Sequence, residues 1–126
     1  MAYEIPGFSW SLVAGEDLSS SQFCGVDVEL STGKAVLPSA GGRVVGVLRN
    51  KPKSGGTATV VTTGVVMAKI GATGVVAGNN VTVDTNGKII QASSGDSLLG
   101  VALKTNAAGE IGTILLLNGV AAAAGS

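Results

Sequence analysis

The chain has no histidine, a single cysteine and three prolines, and aromatic side chains supply only 3% of its 126 residues. Without an imidazole, neither a Ser-His-Asp nor a Cys-His triad can be assembled in one chain, and the His/Cys clusters that hold zinc are missing. Cys24 has no intrachain partner, which excludes a disulfide framework and leaves an intracellular or virion setting open. Charge is scarce too. Charged residues make up 13%, where about a quarter is usual, and eight basic side chains balance eight acidic ones. A net charge of zero gives no global field to draw the protein to nucleic acid or an anionic membrane, so neither is an expected partner. No apolar run approaches the roughly 18 residues of a membrane span. The opening Met1-Ala2-Tyr3-Glu4-Ile5-Pro6 lacks the basic and apolar regions of a signal peptide, and none is expected.

What the chain does contain is small and aliphatic. Hydrophobic residues make up 45%, and 20 glycines help bring the mass down to 12.3 kDa. The length suits one domain, with a core built from small aliphatic groups. All the aromatics, Tyr3, Phe8, Trp10 and Phe23, stand in the first 23 residues. Residues 1–22 therefore read as an extended arm, with one short helical turn after Asp17, and residues 23–120 as a β domain. Residues 121–126 read as a flexible Ala/Gly tail.

The body has the period-two pattern of strands. Cys24, Val26, Val28 and Leu30 alternate with Gly25, Asp27 and Glu29, which puts Cys24 on an apolar face as a buried, inert thiol. Further strands are expected over Val44 to Leu48, Thr57 to Met67, Val81 to Asp84, Lys88 to Ala92, Leu98 to Lys104 and Ile111 to Leu117. Gly41-Gly42, Gly55-Gly56, Gly78-Asn79-Asn80, Asn86-Gly87 and Ala108-Gly109 separate them as turns. The two halves also resemble each other. An offset of 54 superposes Gly33-Lys34 on Gly87-Lys88, Gly41 on Gly95, Gly46-Val47 on Gly100-Val101 and Gly55 on Gly109, and a one-residue slip aligns Val26 and Val28 with Val81 and Val83. The expected fold is all-β: a small barrel-like sandwich of short strands from two internal repeats, about 25–66 and 78–120, preceded by the extended arm.

Candidate chemical motifs resolve into turns. No phosphate-binding glycine fingerprint occurs. Gly71-Ala72-Thr73-Gly74 lacks the flanking helices of a single-strand clamp, and Asp84-Thr85-Asn86-Gly87 lacks the glutamate of a calcium loop and sits where an Asx turn is expected. Asp27 and Glu29 share the face of a strand opposite the apolar one, as solvated carboxylates do. Neither an enzyme nor a cofactor is expected. Two features remain. Arg49-Asn50-Lys51-Pro52-Lys53 is the densest charge cluster, suited to a solvated loop or an acidic protein patch. In the arm, Phe8, Trp10 and Leu12 alternate with Ser9 and Ser11; these side chains either cover an open end of the barrel or add as a strand to another subunit. Leu115 to Leu117 beside Gly64-Val65-Val66-Met67 offers apolar surface that a homo-oligomer could bury.

Several segments together carry a family resemblance: Val45-Gly46-Val47-Leu48, Asn50-Lys51-Pro52, Gly64-Val65-Val66, Gly95-Asp96-Ser97-Leu98-Leu99-Gly100-Val101-Ala102-Leu103 and Ala107-Ala108-Gly109-Glu110. With Tyr3-Glu4-Ile5-Pro6-Gly7-Phe8 and Asp17-Leu18-Ser19, the chain resembles the capsid decoration (cement, head-stabilising) proteins of tailed bacteriophages. The resemblance implies a β-rich domain, made in the host cytoplasm, that sits on the outer surface of the head, commonly as a trimer, and locks major capsid protein subunits together. It brings no catalytic residues. On this reading Tyr3, Ile5, Phe8, Trp10 and Leu12 would contact the capsid or a sister subunit, with Arg49, Lys51 and Lys53 as a second, polar contact. The alternative is a β-sandwich binding module, a receptor- or carbohydrate-binding component of the head.

Overall fold

The computed structural model describes residues 5–6, 9–93 and 95–120, and among these there is no helix. The first strands are β1 (Ile5–Pro6), β2 (Ser9–Val13), β3 (Gly25–Val28), β4 (Ala35–Val36), β5 (Gly46–Leu48) and β6 (Thr57–Val61). They are followed by β7 (Gly64–Lys69), β8 (Asn80–Val83), β9 (Ile89–Gln91), β10 (Ser97–Ala102) and β11 (Ile111–Val120). Two antiparallel sheets result, one in the order β2-β6-β5-β3-β4, the other β1-β7-β11-β10-β8-β9. The all-β sandwich expected from the alternating pattern is what forms.

The internal repeat extends to hydrogen-bond register. Val47 pairs with Val61 and Leu48 with Val60; 54 residues on, Val101 pairs with Leu115 and Ala102 with Ile114. The slip of one residue recurs in Asp27 opposite Val36 and Thr82 opposite Ile90. The duplication reaches further upstream than residue 25. Ser9 lies opposite Val61 as Val65 lies opposite Leu115, so β2 is the counterpart of β7 at an offset of 56. Residues 9–13 form the first strand of the first repeat, paired within their own chain. The shared "aliphatic-aliphatic-Gly-Val" motif has a steric cause: a Cβ at Gly46 would drive into the Val61 carbonyl, and one at Gly100 into that of Leu115. Gly33 and Gly87 close equivalent turns at φ of 70° and 76°, a region costly for side chains with a Cβ.

Three local expectations are corrected. The stretch from Thr57 to Met67 is two strands, because the chain turns at Thr62-Thr63 and enters β7 through Gly64 at φ 99°. Leu30 does not continue the apolar face of β3 and is 79% exposed. The strand ends at Val28, and Glu29 and Lys34 close a hairpin in which Glu29 N–H donates to the Lys34 carbonyl at 2.8 Å. After Asp17 the chain forms successive turns instead of a helix, with Ser21 N–H bonding the Leu18 carbonyl and Cys24 N–H that of Ser21.

Two cores result. One belongs to the first repeat and contains Ala14, Leu18, Val26, Ala35, Leu48, Ala58 and Val60. The other is larger and mixed: Val66, Ala68, Ile70, Val83, Leu99 and Ile114 of the second repeat enclose Val44, Val47 and Val61 of the first. Every one of these side chains is aliphatic, consistent with a body without aromatics. Cys24 is buried as expected, and burial pushes its thiol pKa up, away from the reactive thiolate.

Candidate functional site

Two strands and their connections hold the basic cluster. The Asn50 side chain clasps the loop, donating to the Thr57 carbonyl at 2.8 Å and accepting from Thr59 N–H at 3.0 Å. Pro52 is buried and its carbonyl accepts from Leu18 N–H at 2.9 Å, while Gln22 donates to the Arg49 carbonyl at 2.9 Å. With the backbone thus fixed, Arg49, Lys51 and Lys53 stand exposed. The turn after β2 lies alongside. Asp17 accepts from Ser19 N–H at 3.0 Å, and the Ser19 hydrogen bonds hold its carboxyl below the usual carboxylate range, with a smaller contribution from the Lys53 charge. The loop is a hydrogen-bonded basic projection.

The aromatic half of the expected site is placed differently. Tyr3 and Phe8 lie outside the described residues, as does the 121–126 tail, and Ile5 is in β1, opposite Val65. Trp10 lies opposite Val60, which lies opposite Leu48, so the three share a sheet face. Val60 and Leu48 are sealed, yet Trp10 at the edge keeps 60% of its surface. Leu12 is half-buried against the first core. Arg49 follows Leu48 and hence belongs to the opposite face, on the row of Thr59 and Ser11, with its N–H on the Thr59 carbonyl. The structure does not gather Trp10 and Arg49 on one sheet face; it presents an aromatic edge and a basic loop as neighbouring, separately oriented features.

Other polar groups are used internally. Asp84 Oδ1 accepts from Asn86 N–H at 2.8 Å and Lys88 N–H at 3.0 Å, the Asx turn expected there. Asp27 is half-buried and paired with Arg43 at 2.8 Å, so it is less solvated than the alternation suggests. Glu110 accepts from Ala107 N–H at 2.8 Å and from the Asn106 amide at 3.2 Å, which together lower its pKa. Among the described residues no group of three or more Cys, Asp or Glu side chains converges on a metal-sized site. A shallow surface depression is lined by Thr73, Gly74, Val75, Gln91, Thr105 and Asn106, with no charged side chain.

Sequence reasoning missed one feature. The outer face of the second sheet carries Val65, Met67, Val101, Leu103, Leu115 and Leu117, all partly or largely open to solvent. Only the Leu115–Leu117 and Val65–Met67 part was legible beforehand, since the contribution of β10 depends on its pairing with β11.

Comparison with known proteins now bears on these features. No curated protein matches the chain. Among solved structures, the N base of the head fiber protein gp8.5 of bacteriophage phi29 shares the fold, with a TM-score of 0.68 over 90% of this chain and 96% of that one at 11% identity. The family model for phage cement proteins matches residues 7–117, spanning both repeats, the exposed tryptophan and the basic loop. The chain thus belongs to the phage cement protein family, structural proteins of the phage head surface.

Proposed function

We propose that the protein binds the outer surface of the assembled head as a homo-oligomer, a trimer, and stabilises the head by bridging neighbouring major capsid protein subunits. The observation that carries this reading is the cement-family match across 7–117. The geometry supports it: the basic loop is pinned by Asn50, Pro52 and Gln22 so that Arg49, Lys51 and Lys53 project together, a pre-organised contact for an acidic patch. The N-terminal segment is the other contact, to the capsid or to a sister subunit, with Tyr3, Ile5 and Phe8 leading to Trp10 and Leu12. The role is mechanical and needs no bond-making chemistry. Each attachment can be weak, because simultaneous engagement at several sites raises the effective affinity.

Binding to purified, expanded head shells of the cognate phage tests the reading. The wild-type protein is expected to saturate shells and raise the temperature at which they lose subunits. The triple variant Arg49→Glu, Lys51→Glu, Lys53→Glu is expected to bind less tightly, and wild-type binding is expected to weaken as salt rises. Deleting residues 2–14 would remove β2 and Ala14 from the fold, so deletion of residues 2–8 is the cleaner probe of the arm. Saturation of shells without any gain in their stability would refute bridging. A second reading, a receptor- or carbohydrate-binding head component, draws on the fold shared with a head-fiber base. A glycan-array signal from the protein would favour it.

A further inference from the structure

The two repeats have the same strand pairing but opposite surroundings. In the second repeat, the inner-face positions Val66, Ala68, Val83 and Leu99 are buried, because Val44, Val47 and Val61 on the first repeat close over them. The contact is direct: a Cβ added at Gly25 would meet Val44 and Val83 side chains at 3.1 and 2.7 Å. Their counterparts in the first repeat are Trp10, Leu12, Val28 and Val45, and none is buried. The inner face of the first repeat therefore has an open apolar end where the second has a plug.

The plug itself also has a counterpart. Val44, Val47 and Val61 correspond to Leu98, Val101 and Leu115 of the second repeat, which are only half-buried. Around them the chemistry diverges. Where the first repeat carries Ser9, Ser11, Arg49 and Thr63 on its outer face, the second carries Val65, Met67, Leu103 and Leu117. Leu103 is 37% and Leu117 50% exposed. Solvent-facing positions that are polar in one copy of a repeat and apolar in the other are what a buried partner surface requires.

We propose that the protein self-associates head to tail: the outer face of the second repeat of one copy, centred on Val101 and Leu115, closes over the Trp10, Leu12 and Val45 end of the first repeat of the next. This contact repeats between chains the packing that already joins the two repeats within one chain. It is heterologous, joining unlike surfaces, so copies add head to tail instead of pairing two identical patches, and a trimer forms when three successive rotations close the ring. The inference rests on the homo-oligomer reading above and adds which faces meet.

The two faces can be disabled separately. Leu117→Glu places a charge on the donor face and Trp10→Glu on the acceptor end, both at exposed positions, with Leu103→Glu as a second donor-face variant and circular dichroism to verify folding. Sedimentation equilibrium of the full chain is expected to give a multiple of 12.3 kDa for wild type and 12.3 kDa for each variant alone. An equimolar mixture of the Leu117→Glu and Trp10→Glu proteins retains one intact contact and is expected to double the mass of either. If wild type is oligomeric and the mixture stays monomeric, or if a folded variant keeps the wild-type mass, the head-to-tail contact is wrong while the oligomer stands. If wild type itself is a monomer, both fall.

Discussion

Val66 and Trp10 occupy equivalent positions on β7 and β2, and truncating each to alanine should separate folding from assembly. Val66 is fully buried. Val66→Ala removes two methyl groups at about 0.8 kcal/mol each and leaves a cavity, for a total of roughly 2–3 kcal/mol. Trp10 keeps 60% of its surface in the isolated chain, so only about 80 Å² of a side chain of about 200 Å² is covered. At about 25 cal/mol per Å² that is roughly 2 kcal/mol, an upper bound that falls to about 1.2–1.8 with a compact unfolded state. Despite deleting far more atoms, Trp10→Ala should cost no more stability than Val66→Ala. For a chain of this length each kcal/mol corresponds to about 3–5 °C, so Val66→Ala should melt about 6–15 °C below wild type. Self-association should respond the other way, lost in Trp10→Ala and kept in Val66→Ala below its melting point. Thermal melts at a concentration where both variants are monomeric, set beside sedimentation at higher concentration, give the two readouts. A larger loss of stability in Trp10→Ala would make Trp10 a core side chain and refute the open-end reasoning.

Further outcomes follow from individual contacts. Gly100→Ala should lose roughly 2–4 kcal/mol in urea denaturation, because its Cβ meets the Leu115 carbonyl and must part β10 from β11. Gly109→Ala, at φ 85° with open space around it, should lose only about 1–2 kcal/mol, and equal losses would discount the steric argument. Arg43→Ala breaks an ion pair whose arginine is 57% exposed, so a change within about 1 kcal/mol is expected from the same assay. In an NMR titration, Asp17 and Glu110 should have midpoints below 3.8 and 4.5. Since their carboxyls are lowered by native hydrogen bonds, any stability they add is present above those values and is lost as pH falls through the folded midpoints. Ser19→Ala removes the Ser19 hydroxyl but keeps its N–H, so it should bring the Asp17 midpoint part of the way back up; an unmoved midpoint would rule out the hydroxyl as a cause.

Much of this architecture was legible in the residues. The Gly33-Lys34 and Gly87-Lys88 turns and the Gly46-Val47 and Gly100-Val101 pairs revealed a duplication, since positive-φ turns and close strand contacts accept little besides glycine. The alternation at Cys24, Val26 and Val28 is local, as is the Asx turn at Asp84, and local geometry follows from neighbours in the chain. The end of β3 before Leu30 and the break at Thr62-Thr63 were not legible. An aliphatic or β-branched residue suits a strand equally well whether or not a partner strand is there to pair with it.

The arm shows the limit most clearly. Composition set residues 1–22 apart by their aromatics, and alternation marked Ser9–Val13 as extended, but the partner strand of an extended segment lies elsewhere in the chain. Pairing with β6 is a long-range choice. The sequence alone determined an all-β, duplicated, histidine-free domain built from small aliphatic groups, because those properties reside in composition and in periods of two and 54 residues. Only the tertiary structure decided which copy of the repeat would be plugged and which left open. Val47 and Val101 occupy the same motif, and the difference between them is whether another sheet closes over the side chain.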